Sequence, residues 1–279
     1  MADRRGQAAR LRAFTLVELL VVVAIIGILL ALLMPSLREF REHARTVACQ
    51  SHMGAIGKGL INYALELDAF PITSEAGGRP VSWRYGGWSG SNSRLWKSHH
   101  GGVYYIPTGE RPLSVYMYHG SELSEETRLP TFRCPSDRRS RRVWATGLRD
   151  DGLPAYEDIG TSYHLNWQWY ETQTVLPGAP FSENRPIQRV PRGERIWWKY
   201  MQRNVSRFVT LLEDPADFAL AQPKDRRVQL DGNHGKFSKH NFAFLDGHAE
   251  YLYADTRFFH QRDWTVVDET PPYKEWRVD

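Results

Sequence analysis

Residues 14–34 read FTLVELLVVVAIIGILLALLM, with Glu18 as the one charged side chain in the stretch. From Leu19 to Met34 the apolar run is unbroken. An α-helix rises about 1.5 Å per residue, so this stretch would span about 30 Å, the thickness of the hydrocarbon core of a bilayer. No other part of the sequence is as long and as apolar. The sequence therefore predicts a single transmembrane helix over residues 14–35.

The residues before this stretch are basic. Within the first thirteen, Arg4, Arg5, Arg10 and Arg12 stand against Asp3, which leaves most of the chain's net charge of +4 at its N-terminus. Such a bias predicts that the leader stays cytoplasmic. The rest of the 279 residues is close to neutral, so no nucleic-acid partner is expected. An apolar fraction of 42% excludes wholesale disorder.

Glu18 separates three interpretations of the apolar stretch. A cleaved secretory signal has an apolar run of about 7–15 residues followed by a small-residue cleavage site, whereas this run is longer and ends in Leu-Leu-Met-Pro at 32–35. A plain signal anchor leaves a carboxylate in hydrocarbon without a partner, which costs a few kcal/mol. A cut between Ala13 and Phe14 would create an α-amino cation about one helical turn from Glu18, or beside Glu18 of a neighbouring subunit.

The stretch from Ala13 to Pro35 resembles the N-terminus of type IV pilins and type II secretion pseudopilins. Those families have a short basic leader cut just before Phe, a glutamate as the fifth mature residue, and a proline late in the apolar helix. Phe14, Glu18 and Pro35 match, and Ala13 stands where the families have Gly. The resemblance implies that a prepilin peptidase removes residues 1–13 and methylates the amine of Phe14. Glu18 would then neutralise that amine inside a filament.

The same resemblance implies where the chain works and what it contacts. It implies a single-pass protein of the bacterial inner membrane, with its N-terminus in the cytoplasm and the residues after about 36 in the periplasm. The implied partners are the prepilin peptidase, other pilin-like subunits in a homo- or hetero-filament, inner-membrane lipid, and the assembly platform of a secretion or pilus system.

After Pro35 the pattern predicts an amphipathic periplasmic helix over residues 36–70. Gly54, Gly57 and Gly59 weaken this helix by up to about 1 kcal/mol each, so packing must hold it. Its expected buried face consists of the apolar side chains that recur mostly every three or four residues: Leu37, Phe40, Ala44, Val47, Ala48, Ala55, Ile56, Leu60, Tyr63 and Leu67. The alternative is an independent helix–loop connector.

Residues 71–279 are expected to form a β-rich pilin-like domain with a long irregular insertion at about 72–133. This insertion is rich in Gly, Ser and Trp. Its tryptophans, Trp83, Trp88 and Trp96, are expected to anchor the loop, and stacking on sugars is the alternative.

Within this domain, residues 208–212 and the hairpin HNFAFLDGHAEYLY at 240–253 are predicted as strands. Asp246-Gly247 is the signal of a two-residue turn. The resulting pairing places these side chains on the core face: Phe242, Phe244, Ala249, Tyr251 and Tyr253. The fold class is therefore α+β, with a long N-terminal helix packed on a C-terminal antiparallel sheet.

A second resemblance concerns the same domain. A large group of pilin-like proteins, abundant in Planctomycetes-type bacteria, combines the leader with a Cys-Pro-Ser-Asp element and a C-terminal His-then-Asp-Gly motif. Here Cys-Pro-Ser-Asp stands at 134–137 and Asp-Gly at 246–247. In the group nine residues separate the His from the Asp-Gly, whereas His234 and His240 lie eleven and five residues before it. Either histidine could be the equivalent.

Oxygen and imidazole ligands are concentrated around this motif. Asp231 and Asp246, together with main-chain carbonyls, could hold a structural Ca²⁺, the ion that major pseudopilins bind in a C-terminal loop. His234, His240 and His248 would instead suit zinc or another transition metal. No metal is needed to explain these residues, since Asp246 already forms a turn and His248 and Glu250 can be exposed strand residues; if a metal binds, calcium is favoured over zinc.

The two cysteines, Cys49 and Cys134, form no CxxC pair. In an oxidising compartment they could form a disulfide that ties the helix to the body, whereas in a cytosol two unrelated thiols are expected. Common catalytic motifs are absent from the sequence. The acids Glu213, Asp214 and Asp217 near a strand end would serve a hydrolase, but such clusters are common in solvated loops.

The sequence thus predicts a non-enzymatic filament subunit, pilin-like or pseudopilin, of a type II secretion or type IV pilus-like system. The alternative is a membrane-anchored periplasmic ligand-binding protein or hydrolase that uses a pilin-type leader. The size of the body and its Trp-rich middle are the features that favour this alternative.

Overall fold

A computed structural model of the chain describes residues 15–67, 71, 82–91, 105–140, 152–166, 205–222 and 226–266. The predicted cleavage site at Ala13 and Phe14, together with Trp96, lies outside the described residues. The chain divides into two compact units, residues 1–43 and residues 44–279. One long helix, α1 (Leu16–Leu67), contributes residues to both units.

In the first unit, α1 contains the predicted apolar segment and continues past Pro35. Its large apolar side chains from Leu16 to Met34 are between 45% and 79% exposed, and within the described residues α1 is the one helix long and apolar enough to cross a membrane. Pro35 lies inside the helix and does not end it, although its ring removes one backbone donor. Next to it, the Ser36 hydroxyl donates to the Leu33 carbonyl at 2.8 Å.

In the second unit, α1 buries one face against the sheet and is described as far as Leu67; the last three residues of the predicted helix, 68–70, lie outside the described residues. The buried residues are Thr46, Cys49, Met53, Ile56, Gly57, Leu60 and Ala64. Ile56 and Leu60 confirm part of the predicted face. Other predicted residues are exposed, so that part of the prediction is wrong: Ala44, Val47, Ala55 and Leu67, and also Leu37 and Phe40 of the first unit.

The buried face differs from the predicted one because it contains small residues between the large ones. A methyl group placed on Gly57 would stand 3.8 Å from Ala243 Cβ and 3.9 Å from Gly247 Cα, which is van der Waals contact. The helix therefore lies close to the sheet at this point. A search for bulky apolar spacing does not detect a face of this kind.

Among the described residues the sheet has four strands, β1 (Tyr163–Leu165), β2 (Val209–Glu213), β3 (Lys239–Phe244) and β4 (Ala249–Tyr253), in that spatial order. Every neighbouring pair is antiparallel. The α+β class, the strand predicted at 208–212 and the C-terminal hairpin are thus confirmed. The strands predicted from sequence follow one another in space as they do along the chain.

The turn of the β3–β4 hairpin differs from the prediction by one residue. Phe244 N–H donates to the His248 carbonyl at 2.9 Å, which leaves the three residues 245–247 in the loop. Gly247 has a φ of 85°, in the left-handed region. A left-handed glycine is typical of three-residue hairpin loops that end in a bulge. The predicted two-residue turn is therefore wrong.

This one-residue difference changes which side chains share a face. Ala243 lies opposite Ala249, and Phe242 lies opposite Glu250 rather than Tyr251. A shift of one residue turns a strand over relative to its partner. The predicted common core face of Phe242 with Tyr251 and Tyr253 is therefore wrong.

Both faces of the sheet are covered by hydrophobic side chains. The face toward α1 belongs to a core formed by Cys49, Met53, Ile56, Leu60, Tyr85, Trp88, Leu113, Leu129, Phe132, Cys134, Tyr156, Tyr163, Leu165, Leu211 and Ala243. The opposite face belongs to a second core formed by Val209, Leu212, Ala216, Leu220, Phe242, Phe244, Ala254, Phe259, Trp264 and Val266. Val209 and Leu211 are two residues apart, so they would normally lie on the same face of β2. A register shift between them places Val209 in the second core and Leu211 in the first.

The described part of the predicted insertion contains short helical elements rather than irregular chain alone. These are two 3₁₀ turns at Thr108–Glu110 and Pro130–Phe132 and the helix α2 (Pro112–Met117), and they are followed along the chain by α3 (Ala155–Ile159) and α4 (Asp214–Leu220). Trp83 and Trp88 are buried, each 6% exposed, which confirms that these two tryptophans act as anchors.

Arg111 connects the parts of this insertion. Its buried guanidinium donates to the carbonyls of Trp83 at 3.0 Å, Gly86 at 2.7 Å and Ile159 at 2.9 Å. Burial lowers the pKa of Arg111 to about 9, because water no longer solvates the charge. The sequence gives no local signal for this role, since the three acceptors are backbone carbonyls from separate segments.

Candidate functional site

The N-terminus of α1 is closed by Thr15 and Glu18. The Glu18 carboxylate accepts from Thr15 N–H at 2.9 Å and from the Thr15 hydroxyl at 2.8 Å, and Glu18 N–H donates to Thr15 Oγ1 at 3.2 Å. These reciprocal bonds form a capping box, for which Thr-x-x-Glu is the sequence signal. A plain anchor would therefore not leave Glu18 without hydrogen-bond donors. The cation implied at Phe14 lies outside the described residues.

A buried polar cluster lies inside the second unit, between α1 and the sheet. It consists of Cys49, Cys134, Glu213 and His234, and one ligand atom from each lies within 4.8 Å of those of the others. Cys134 Sγ is 3.6 Å from His234 Nε2, and that nitrogen is 3.5 Å from Glu213 Oε1. All four residues are buried. We refer to them as the Cys-Cys-Glu-His cluster.

The Cys-Pro-Ser-Asp element positions the second cysteine of this cluster. Asp137 N–H closes a turn onto the Cys134 carbonyl at 3.1 Å. The Asp137 carboxylate accepts from the backbone N–H groups of Ala155 at 3.0 Å and Tyr156 at 2.8 Å, and from the Ser162 hydroxyl at 2.6 Å. Burial raises the pKa of Asp137 to about 6 despite these donors. The element thus ties Cys134 to the start of α3 and to the segment before β1.

Glu213 and His234 complete the cluster from the sheet side. Glu213 is the last residue of β2, and Asn241 on β3 donates to its Oε1 at 2.6 Å. Burial opposes a charge on His234, but its contacts with Cys134 and Glu213 outweigh that effect and raise its pKa to about 10. Burial is the main reason that the pKa of Cys134 is raised. Without a metal, the cluster therefore favours a protonated thiol and a positive imidazole beside a carboxylate.

The structure places the predicted metal ligands differently from the sequence expectation. Of Asp231, His234, His240 and Asp246, His234 is the one that belongs to a ligand group in the described part of the chain. Asp231 is exposed, Asp246 bonds to His248 next to its own turn, and His240 is buried with no bond to its ring nitrogens from the described residues. The four therefore do not converge, and the calcium ion stays a prediction.

Cys49 and Cys134 do come together, as the disulfide hypothesis requires, but they are not bonded to each other in the structure. Glu213 is the cluster member that the sequence did not assign to a metal or thiol site. It lies 79 residues after Cys134, so no local spacing identifies it.

Asp214 and Asp217, two of the acids that would serve a hydrolase, belong to a second buried network. His164 Nε2 lies 2.9 Å from Asp214 Oδ1, and its Nδ1 lies 2.9 Å from the Ser82 hydroxyl, which donates to Asp217 at 3.2 Å. These are residue types of a hydrolase, but none of the four is more than 3% exposed. A substrate has no access to them, so the network cross-links the insertion, β1 and α4 and gives no positive sign of catalysis.

Comparison with protein families identifies the larger part of the chain. The family described as "Protein of unknown function (DUF1559)" matches residues 38–185, more than half of the chain. The chain belongs to the DUF1559 family. This DUF1559 protein also matches the prokaryotic N-terminal methylation motif over residues 9–34. The match includes Ala13, Phe14 and Glu18, and it confirms the resemblance to pilin-like proteins.

A curated relative supports the resemblance to pilin-like proteins. The DUF1559 protein is 36% identical over 73 residues to the type II secretion system core protein G of Pseudomonas aeruginosa. The aligned part covers 26% of this chain, and the chain spans about half the length of that relative, 49%. No solved structure matches the chain significantly. Together with the apolar helix, these matches indicate a membrane-anchored, pilin-like protein.

Proposed function

We propose that the chain is a pilin-like subunit that a prepilin peptidase cuts between Ala13 and Phe14 and methylates at Phe14. The mature subunit assembles with other pilin-like subunits through its apolar N-terminal helix, in a type II secretion or type IV pilus-like system. The observation that carries this proposal is the methylation motif over 9–34, which contains the start of α1 and whose large apolar side chains from Leu16 to Met34 are exposed.

The exposed surface supports both membrane insertion and assembly. Burying apolar surface stabilises a protein by about 25 cal/mol per Å². Leaving this helix surface in water is therefore unfavourable. Lipid covers it before assembly, and neighbouring helices cover it afterwards. Leu37 and Phe40 remain 54% and 72% exposed beyond Pro35, and they would extend the packing surface toward the periplasm.

The proposed location follows from the same features. The subunit spans the inner membrane once, with the basic leader in the cytoplasm and the body in the periplasm. Its role is structural rather than enzymatic. The alternative of an anchored hydrolase or ligand-binding protein gains no support from the described residues, because Trp83, Trp88, Asp214 and Asp217 are buried.

The charge on Glu18 can be tested apart from its capping role. Glu18→Gln keeps the capping box, since glutamine serves at that position as well as glutamate, but it removes the carboxylate that would neutralise the Phe14 amine. Thr15→Ala does the reverse: it costs about 1 kcal/mol of capping and leaves the charge. Glu39→Gln, on the exposed face of the same helix, is the matched control.

The assay is photocrosslinking in membranes of the native bacterium, with the crosslinker placed at Phe40. We expect adducts with other pilin-like subunits in the wild type, in Thr15→Ala and in Glu39→Gln, and at least about a tenfold loss in Glu18→Gln, the size of a 1.4 kcal/mol change in assembly. Equal adducts in Glu18→Gln and wild type, or no adducts in any of them, would contradict the proposal.

A further inference from the structure

We infer that the Cys-Cys-Glu-His cluster is a structural zinc site. Cys49, Cys134, Glu213 and His234 would each supply one ligand atom to the ion. This inference concerns the body of the protein and does not depend on the proposed processing or assembly.

Two distances between ligand atoms are close to those of a tetrahedral zinc site, and all four atoms lie within 4.8 Å of one another. With Zn–S near 2.3 Å and Zn–N and Zn–O near 2.0–2.1 Å, tetrahedral angles place S and N about 3.6 Å apart and N and O about 3.3 Å apart. The corresponding distances are 3.6 Å from Cys134 Sγ to His234 Nε2 and 3.5 Å from His234 Nε2 to Glu213 Oε1. A cation could therefore enter with small adjustments of the side chains.

The types of ligand select the metal. Two thiolates with an imidazole and a carboxylate suit zinc, whereas calcium and magnesium require shells of oxygen ligands. A set of four protein ligands fills a tetrahedral ion completely and leaves no position for water or substrate. The cluster is also buried on all sides. Both features indicate a structural metal rather than a catalytic one.

Neighbouring groups hold the carboxylate in place, as expected around a metal ligand. Asn241 donates to Glu213 Oε1 at 2.6 Å, and Asn233 N–H approaches Oε2 at 3.4 Å. Asn233 directly precedes His234, so the same short loop both supplies a ligand and orients another.

Zinc would join four distant segments of the second unit. Cys49 lies on α1, Cys134 follows the second 3₁₀ turn, Glu213 ends β2, and His234 lies in the loop before β3. The helix would thereby be fastened to the sheet at Cys49, about two turns before the close approach at Gly57. Metal binding would also deprotonate the two thiols.

Two other states of the same residues give different results. In one, the cluster is metal-free, with an imidazolium paired to Glu213. In the other, Cys49 and Cys134 form a disulfide. The metal content and the mass of the native chain distinguish all three states.

The first test is zinc analysis of the full-length chain, purified in detergent without chelators. We expect one zinc per chain by elemental mass spectrometry. Cys49→Ser, Cys134→Ser, Glu213→Gln and His234→Gln should each lower zinc occupancy at least about tenfold at limiting zinc. The matched controls Glu250→Gln and His248→Gln, which change exposed residues of the neighbouring hairpin, should retain it.

The second test does not depend on the folding of variants. Exchange of the wild-type chain with cobalt(II) should produce sulfur-to-metal charge transfer and the intense visible bands of tetrahedral cobalt. Acid release of the metal should leave two free thiols by intact mass. A wild-type chain that binds neither zinc nor cobalt, or whose mass is lower by two hydrogens because of a disulfide, would overturn the inference.

Discussion

Acidification is expected to destabilise the second unit through His240, a buried histidine on β3. Its side chain is 0% exposed, and neither ring nitrogen has a hydrogen-bond partner among the described residues. Burial lowers its pKa from 6.5 to about 4, although Glu213 and Asp231 act in the opposite direction. The folded state therefore resists a proton that the unfolded chain accepts. The stability that His240 contributes is present above about pH 6.5 and is lost as the pH falls toward 4.

The size of the effect follows from these two pKa values. At about pH 5 the linkage amounts to about 2 kcal/mol relative to neutral pH. Asp137 acts with the opposite sign, because its raised pKa of about 6 makes the folded state bind a proton more tightly between about pH 6 and pH 4. A variant of His240 that keeps Asp137 shows the same Asp137 effect as the wild type, so the difference between the two proteins reports His240 alone.

The suitable variant is His240→Phe, because the imidazole already stacks on Phe242 with ring centroids 6.3 Å apart and an angle of 8°. Urea unfolding of the full chain in detergent, followed by tryptophan fluorescence, measures stability at about pH 7.5 and pH 5. Trp264 packs against Phe242 at 5.4 Å and reports on this core. We expect the wild type to lose about 2 kcal/mol more than the variant on acidification. Equal losses in the two proteins would refute the reasoning.

Two further substitutions test how the insertion is held. Gly160→Ala should cost at least about 3 kcal/mol of unfolding free energy, because φ is 89° and the new Cβ would stand 1.6 Å from the Trp88 carbonyl oxygen. The control Gly120→Ala, at a φ of 83° with open space around it, should cost about 1 kcal/mol. Similar losses for both variants would contradict this account. Arg111→Lys should lower the free energy of unfolding by about 3 kcal/mol, because one ammonium cannot reach the separate carbonyls that the guanidinium satisfies. The control Arg138→Lys, on the surface, should leave it unchanged in the same urea titration.

Local patterns predict the elements whose formation depends on neighbouring residues. The apolar run predicts the first part of α1, because a helix satisfies all of its backbone hydrogen bonds within one segment in lipid. Alternating residues around Asp246-Gly247 predict β3 and β4. The turn itself is less determined, since Asp-Gly suits both a two-residue and a three-residue loop. Packing on both faces of the sheet selects the longer loop, and the sequence pattern does not contain that information.

The buried face of α1 shows a related limit. Apolar residues occur on more than one side of the helix, and Phe40 and Val47 are exposed although they fit the predicted spacing. If subunits assemble through this helix, part of its apolar surface serves other chains rather than its own core. A single sequence does not separate these two uses.

The Cys-Cys-Glu-His cluster could be predicted only in part. Cys49, Cys134 and His234 stand out as candidate cross-linking or metal residues because of their chemistry. Their convergence with Glu213 depends on the packing of α1 against the sheet and on the turn that Asp137 stabilises. Sequence separation of this size leaves no spacing motif, so residue types are predictable here and the geometry is not.

The central claim, that this chain is processed as a pilin-like subunit, is tested most directly by the N-terminus of the natural protein. The measurement is mass spectrometry of the chain extracted from membranes of its own bacterium. We predict a mature chain that begins at Phe14 and carries a methylated α-amino group. A natural chain that retains residues 1–13 would contradict the claim.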